Sequence, residues 1–171
     1  ILDSELGEKE YKYSDLGYYL FHRIIEDITD TILYSYVYHN FYSKMGAGTM
    51  GYLPLNRFPA ERIVPTENDL IFRRQLLRGY VHYPGAAMLG AVAGHAGIFS
   101  NANDLAKFMQ MYLNGGTYGR RKFLSENVIK KYTARVYSDN GNRRGLGFDK
   151  RGPDEDKLGP TCDSAPLSSY G

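Results

Sequence analysis

The sequence predicts a mainly α fold with a few short strands, and three observations lead there. Apolar residues recur at helical spacing over 15–30 and again over 101–114. Glycine and proline punctuate the region from 46 to 65 between them, and strand-like alternation is scarce. An independent α-domain fits this pattern, and so does the helical region of a larger α/β enzyme. At 171 residues and 43% hydrophobic content, the chain is long and apolar enough for one cored domain.

In chain order, Leu16, Tyr19, Leu20, Ile24 and Ile28 form the stripe of a helix from Asp15 to Asp30, with Ser14 or Asp15 as its N-cap. A second helix from Thr31 to about Tyr42 is weakened by β-branched and aromatic residues. A long loop follows at about 43–67, broken by Gly48, Gly51, Pro54, Pro59 and Pro65. Asn68 to Arg78 reads as a short helix, with Asp69 near its start and Gly79 past its end. Residues 101–114 give the clearest helix: Asn101 and Asp104 imitate a capping box, Leu105, Phe108, Met109, Tyr112 and Leu113 form the stripe, and Gly115-Gly116 stops it. Ser125 caps a further helix through Ile129 and Tyr132. Gly145-Leu146-Gly147-Phe148-Asp149 reads as a strand entry after a turn at Asp139-Asn140-Gly141-Asn142, and 151–171 is an irregular tail.

Composition excludes several function classes. A net charge of +2, with no basic block longer than Arg120-Arg121-Lys122, argues against a nucleic-acid partner. No run of 18 apolar residues suggests a membrane span, and no signal peptide is visible in a segment that begins at Ile1. The lone Cys162 makes no intrachain disulfide, and the histidines (His22, His39, His82 and His95) show no metal-ligand spacing, so neither metal nor cofactor is expected. Gly46-Ala47-Gly48-Thr49-Met50-Gly51 lacks the lysine and preceding apolar strand of a phosphate loop. Tyrosine is abundant, at 16, without any tryptophan; Tyr34-Ser35-Tyr36-Val37-Tyr38 reads as interfacial packing rather than as a sugar platform.

Two stretches carry chemistry by resemblance. Tyr13-Ser14-Asp15 followed by Leu16-Gly17-Tyr18, and Gly94-His95-Ala96-Gly97-Ile98-Phe99-Ser100 leading into Asn103-Asp104-Leu105-Ala106-Lys107-Phe108, resemble the middle of a serine β-lactamase-like hydrolase: class C β-lactamases, penicillin-binding proteins and related esterases. Gly145-Leu146-Gly147-Phe148 resembles the next strand of that family, and Ser168-Ser169-Tyr170-Gly171 the lead-in to its His-Thr-Gly. Leu55-Asn56-Arg57-Phe58-Pro59, Ile63-Val64-Pro65-Thr66-Glu67 and Gly79-Tyr80-Val81-His82 look like the hydrolase module fused to family 3 glycoside hydrolases in Bacteroidetes-type proteins.

The resemblance implies the helical region and part of the sheet of a β-lactamase/transpeptidase-like α/β fold, with 1–171 as one partial domain. It implies a cell-envelope or periplasmic hydrolase that forms an acyl-enzyme on an amide or ester, with a small-molecule or peptidoglycan-derived substrate. Of the family's three motifs only the second is present, since the chain holds no Ser-x-x-Lys and no Lys-Thr-Gly or His-Thr-Gly. The nucleophile is therefore not in this chain. Tyr13 takes the place of the acid/base partner. A free tyrosine titrates near about 10, so such a phenol works as a base only beside positive charge, which the family draws from lysines of the two missing motifs. Asp15 is a candidate substrate contact or a helix cap; an ionised Asp only accepts hydrogen bonds where the family's Asn also donates, which disfavours β-lactam hydrolysis. His95 is a candidate cleft-wall residue. A triad of Ser100, His95 and Asp104 fails because near neighbours in sequence rarely satisfy triad geometry.

Two readings result. In the first, the segment is part of a serine hydrolase and is inactive alone. In the second, it is a non-catalytic hydrolase-like module that binds a cell-wall peptide, a glycan or a protein partner.

Overall fold

The computed structural model describes residues 5, 7–8, 11–138, 142–152 and 168–170. It is mainly helical, with two short antiparallel hairpins among the described residues. The chain divides into two compact units, Ile1–Met109 and Gln110–Gly171.

In the first unit, helix α1 (Leu16–Thr29) ends where Asp30 turns left-handed, at φ 47°. His22–Glu26 at 3.0 Å and Arg23–Asp27 at 2.9 Å brace it at i,i+4 spacing. Glu26 also accepts the Leu33 amide at 2.8 Å, satisfying an orphan donor at the start of α2 (Leu33–Val37). That backbone hydrogen bond is the main reason the Glu26 carboxyl titrates below its ordinary range. The predicted second helix continues past α2, but as a π-helical turn at Tyr38–Tyr42 and a 3-10 turn at Ser43–Met45. The stretch expected as loop carries further 3-10 turns at Pro54–Asn56 and Ala60–Arg62.

The short helix expected over 68–78 is instead a hairpin, β1 (Pro65–Asp69) paired antiparallel with β2 (Gln75–Arg78). The buried Asp69 decides this. Its carboxylate accepts the amides of Ile71, Phe72 and Arg73 and the Arg73 guanidinium at 2.8–3.0 Å, which forces a turn where a helix would continue. Arg73 then reaches the carbonyls of Val81 at 2.6 Å and His82 at 2.5 Å. The guanidinium foremost, with those amides, holds the Asp69 carboxyl far below the usual carboxylate range.

Beyond α3 (Pro84–Met88), the 91–99 segment is tied down by Tyr52, whose buried hydroxyl donates to the Ala93 carbonyl at 2.9 Å. Burial pushes that phenol up to about 12. Phe99 pairs with Gly51 as a single bridge before α4 (Ala102–Leu113) begins. Asn101 caps α4 as expected, its side-chain oxygen accepting the Asp104 amide at 2.8 Å. The Asp104 carboxylate does not complete a capping box. It is buried, and accepts the Thr49 amide and hydroxyl at 2.7 Å each and the Lys107 ammonium at 2.8 Å. Lys107 also donates to the Gly46 carbonyl at 2.6 Å, so this cluster pins the 46–49 loop to α4. The core of this unit is built from Leu33, Tyr42, Met45, Ala47, Met50 and Leu77, with a smaller cluster of Val81, Ala86 and Ala93.

The second unit holds hairpin β3 (Thr117–Tyr118) and β4 (Arg121–Lys122), then α5 (Glu126–Thr133), whose first turn Ser125 caps by accepting the Val128 amide. The strand expected at Gly145–Asp149 does not form. Gly145 N–H donates to Phe148 O at 3.0 Å, closing a turn, and Lys150 pairs only as an isolated bridge with Tyr170. Most of the turn expected at Asp139–Asn142, and most of the tail, lie outside the described residues.

Candidate active site

Tyr13 and Ser14 lead into α1, and Asp15 occupies its N-cap position at φ −81°, ψ −13°. The Asp15 side chain makes no capping bond. Ser14 takes that role in part, accepting the Leu16 amide at 3.2 Å. Asp15 contributes its carbonyl to the Tyr18 and Tyr19 amides, while its carboxylate is shared with Tyr83. Hydrogen bonding to Asp15, then its charge, raises the Tyr83 phenol above its ordinary value.

Tyr19 lies one turn after Asp15 on the same face of α1. Its ring stands edge-on to His95, with centroids 4.7 Å apart and an angle of 88°. Tyr83 meets His95 from another side at 5.1 Å and 79°. The imidazole is thus clamped between two phenol rings. Both its nitrogens are buried without a hydrogen-bond partner among the described residues. Close approach of the loop to α1 requires small residues: a Cβ at Gly94 would sit 2.7 Å from the Tyr18 carbonyl oxygen, and one at Gly85 would strike the Tyr19 hydroxyl.

The three residues singled out from sequence, Tyr13, Asp15 and His95, therefore border one patch, with Tyr13 near enough to Tyr83 for its charge to act on that phenol. Tyr13 is 70% exposed. Tyr19 and Tyr83 belong to the same patch and were not anticipated. Tyr19 was readable as the i+4 neighbour of Asp15, whereas nothing local marks Tyr83.

The arrangement excludes the Ser100–His95–Asp104 triad. The Ser100 hydroxyl donates to the Asn101 carbonyl, and Asp104 is occupied by Thr49 and Lys107. Elsewhere His82 pairs with Glu67 at 2.9 Å and His22 with Glu26, and no grouping of three His, Cys, Asp or Glu among the described residues is placed to hold a metal ion. No helix among the described residues is long and apolar enough to cross a membrane.

The sequence is similar to known proteins. A sequence profile of the Beta-lactamase family matches residues 3–156. Proteins of Salmonella paratyphi B, Salmonella newport and Salmonella heidelberg, each named "Putative D-alanyl-D-alanine carboxypeptidase", are 35% identical over 150 residues, which is 81% of this chain and 34% of theirs. The chain spans about a third of the length of these curated relatives. The profile match covers most of the chain, and the chain belongs to the Beta-lactamase family.

Proposed function

We propose that this chain is the helical part of a serine hydrolase that forms an acyl-enzyme on an amide or ester, and that it is inactive alone. One observation carries the reading: Tyr13 and Asp15, at the head of α1, border a single open patch with His95, which is distant from them in sequence. Tyr13 acts as the acid/base partner of a serine supplied from outside this segment. Asp15, released from capping and hydrogen-bonded to Tyr83, is the acceptor for a substrate N–H, and His95 forms the cleft wall. An acceptor-only group at that place favours peptides or esters over β-lactams. The names of the relatives support a peptidoglycan-derived peptide substrate and a cell-envelope, periplasmic location. The balanced charge gives no support to a nucleic-acid partner.

The surface of α1 supports a larger parent, with residues 1–171 as one partial domain of it. None of its residues is buried, and Leu16, Leu20, Ile24 and Ile28 are 43–78% exposed. Such a stripe on a helix ordinarily faces a core. The competing reading, a non-catalytic module for a cell-wall peptide, glycan or protein, draws on the missing Ser-x-x-Lys.

Labelling with a fluorescent fluorophosphonate separates the two. A longer protein carrying this segment should label stoichiometrically at a serine outside it, and the 171-residue chain should not. Clean labelling of the chain itself would remove the proposal, and so would failure of the longer protein to label.

A further inference from the structure

A second site lies elsewhere in the first unit. Tyr34, Ser35 and Tyr38, from the stretch expected to serve packing, line a cavity of about 360 Å³ between α2 with its π-helical extension and the turn at 51–57. That volume falls within the roughly 300–1,000 Å³ of small-molecule sites. Tyr34 and Tyr38, at i and i+4, present rings on one side, and Tyr52 adds another. Tyr34 is 43% exposed, so part of its ring is open to a ligand.

Besides one cation, the rim offers hydrogen-bonding side chains. His39 Nδ1 lies 2.9 Å from the Ser35 carbonyl oxygen, and as the donor there it leaves Nε2 an acceptor. The Asn56 side chain is exposed and makes no hydrogen bond among the described residues, so an amide donor and acceptor are both on offer. No Asp or Glu lines the cavity. Its one cation, Arg57, is already committed: it donates to the Met50 carbonyl at 3.2 Å and to the Gly48 carbonyl, and its guanidinium covers the Tyr38 ring at 4.9 Å. Arg57 therefore fixes the Tyr38 ring rather than recruiting an anion.

Both walls carry irregular backbone. The π turn at Tyr38–Tyr42 and the left-handed Leu53 (φ 49°) are conformations that concentrate at ligand sites. We propose that this cavity binds a neutral pyranose ring, stacked on tyrosine and hydrogen-bonded through its hydroxyls to Asn56 and His39. Apolar ring faces beside uncharged donors and acceptors suit a saccharide, whose C–H face is apolar and whose edge is hydroxylated. The inference is independent of the hydrolytic reading.

The test is titration of the 171-residue chain with cellobiose and with N,N′-diacetylchitobiose, followed by calorimetry and by amide chemical shifts. The expected result is saturable binding of at least one disaccharide, with shifts centred on 34–39 and 51–57. Tyr34→Ala and Asn56→Ala should each weaken binding about tenfold, and both positions are exposed enough for the chain to keep its fold. Tyr80→Ala, at an exposed tyrosine outside the cavity, should leave binding unchanged. Absence of saturable binding by either sugar overturns the proposal, as does binding that survives Tyr34→Ala and Asn56→Ala. Binding of p-nitrophenol in place of either sugar overturns it too, since the cavity would then be an aromatic slot.

Discussion

Removing the carboxylate of Asp104 by Asp104→Ala should destabilise the first unit by about 3 kcal/mol. The Thr49 amide and hydroxyl would each lose their acceptor, a loss of about 1–3 kcal/mol apiece for buried donors. Thr49 is half-buried and the Lys107 side chain is 23% exposed, so water softens the loss and a value in the lower half of the sum applies. In urea, where a domain of this size has a slope of about 2 kcal/mol per molar, the midpoint should fall by about 1.5 M. The pH dependence gives a second handle. Burial alone would raise this carboxyl, but hydrogen bonds from Lys107 and Thr49 outweigh it and bring the group from 3.8 to about 2. The folded value lies below the unfolded one, so the stabilisation is complete above about pH 4 and is lost as pH falls towards 2. A shift of that size is worth about 2 kcal/mol at neutral pH. The wild-type chain should therefore lose about 2 kcal/mol more than Asp104→Ala between pH 5 and 2. A midpoint change below about 0.3 M, or parallel acid profiles for the two proteins, would refute this role for Asp104.

Arg73→Ala should cost about 3 kcal/mol by chemical denaturation, because it strips the buried Asp69 of its cation and frees the carbonyls of Val81 and His82; Arg73→Lys should not restore it, since one ammonium does not span those acceptors. Gly94→Ala should push the His95 loop off α1, costing about 1–3 kcal/mol and shifting the ring resonances of His95 and Tyr19 in NMR spectra. In a longer protein carrying this segment, Tyr13→Phe should lower kcat for an ester substrate about a hundredfold or more with little change in KM. A loss below about threefold would remove Tyr13 from the acid/base chemistry.

The helices were legible where period and caps agreed. In α4, the Leu105–Leu113 stripe, the Asn101 cap and Gly115 all pointed one way, as did Ser125 ahead of α5. The 68–78 region misled because Leu70, Ile71 and Leu76-Leu77 have helix-compatible spacing, while the deciding interactions, Asp69 with the following amides and Arg73 with residues eight and nine ahead, leave no trace in periodicity. The α1 stripe forms a helix face as expected, yet apart from Tyr19 it stays exposed among the described residues. At the site, Tyr13, Asp15 and His95 came from family resemblance and not from local pattern. Tyr83 was missed because only the return of the chain to the head of α1 brings it beside Asp15. Of the 34–38 tyrosines, Tyr34 and Tyr38 line a cavity that the sequence pattern alone does not reveal.

The central claim is that Tyr13, Asp15 and His95 form one wall of a serine hydrolase site whose nucleophile lies outside these residues. Sequencing the coding region on both sides of the segment tests it most directly. A Ser-x-x-Lys before Ile1, with His-Thr-Gly or Lys-Thr-Gly following Gly171, is the predicted result. Flanks that carry neither motif would contradict the claim and leave a binding module in which Tyr13 has no serine to serve.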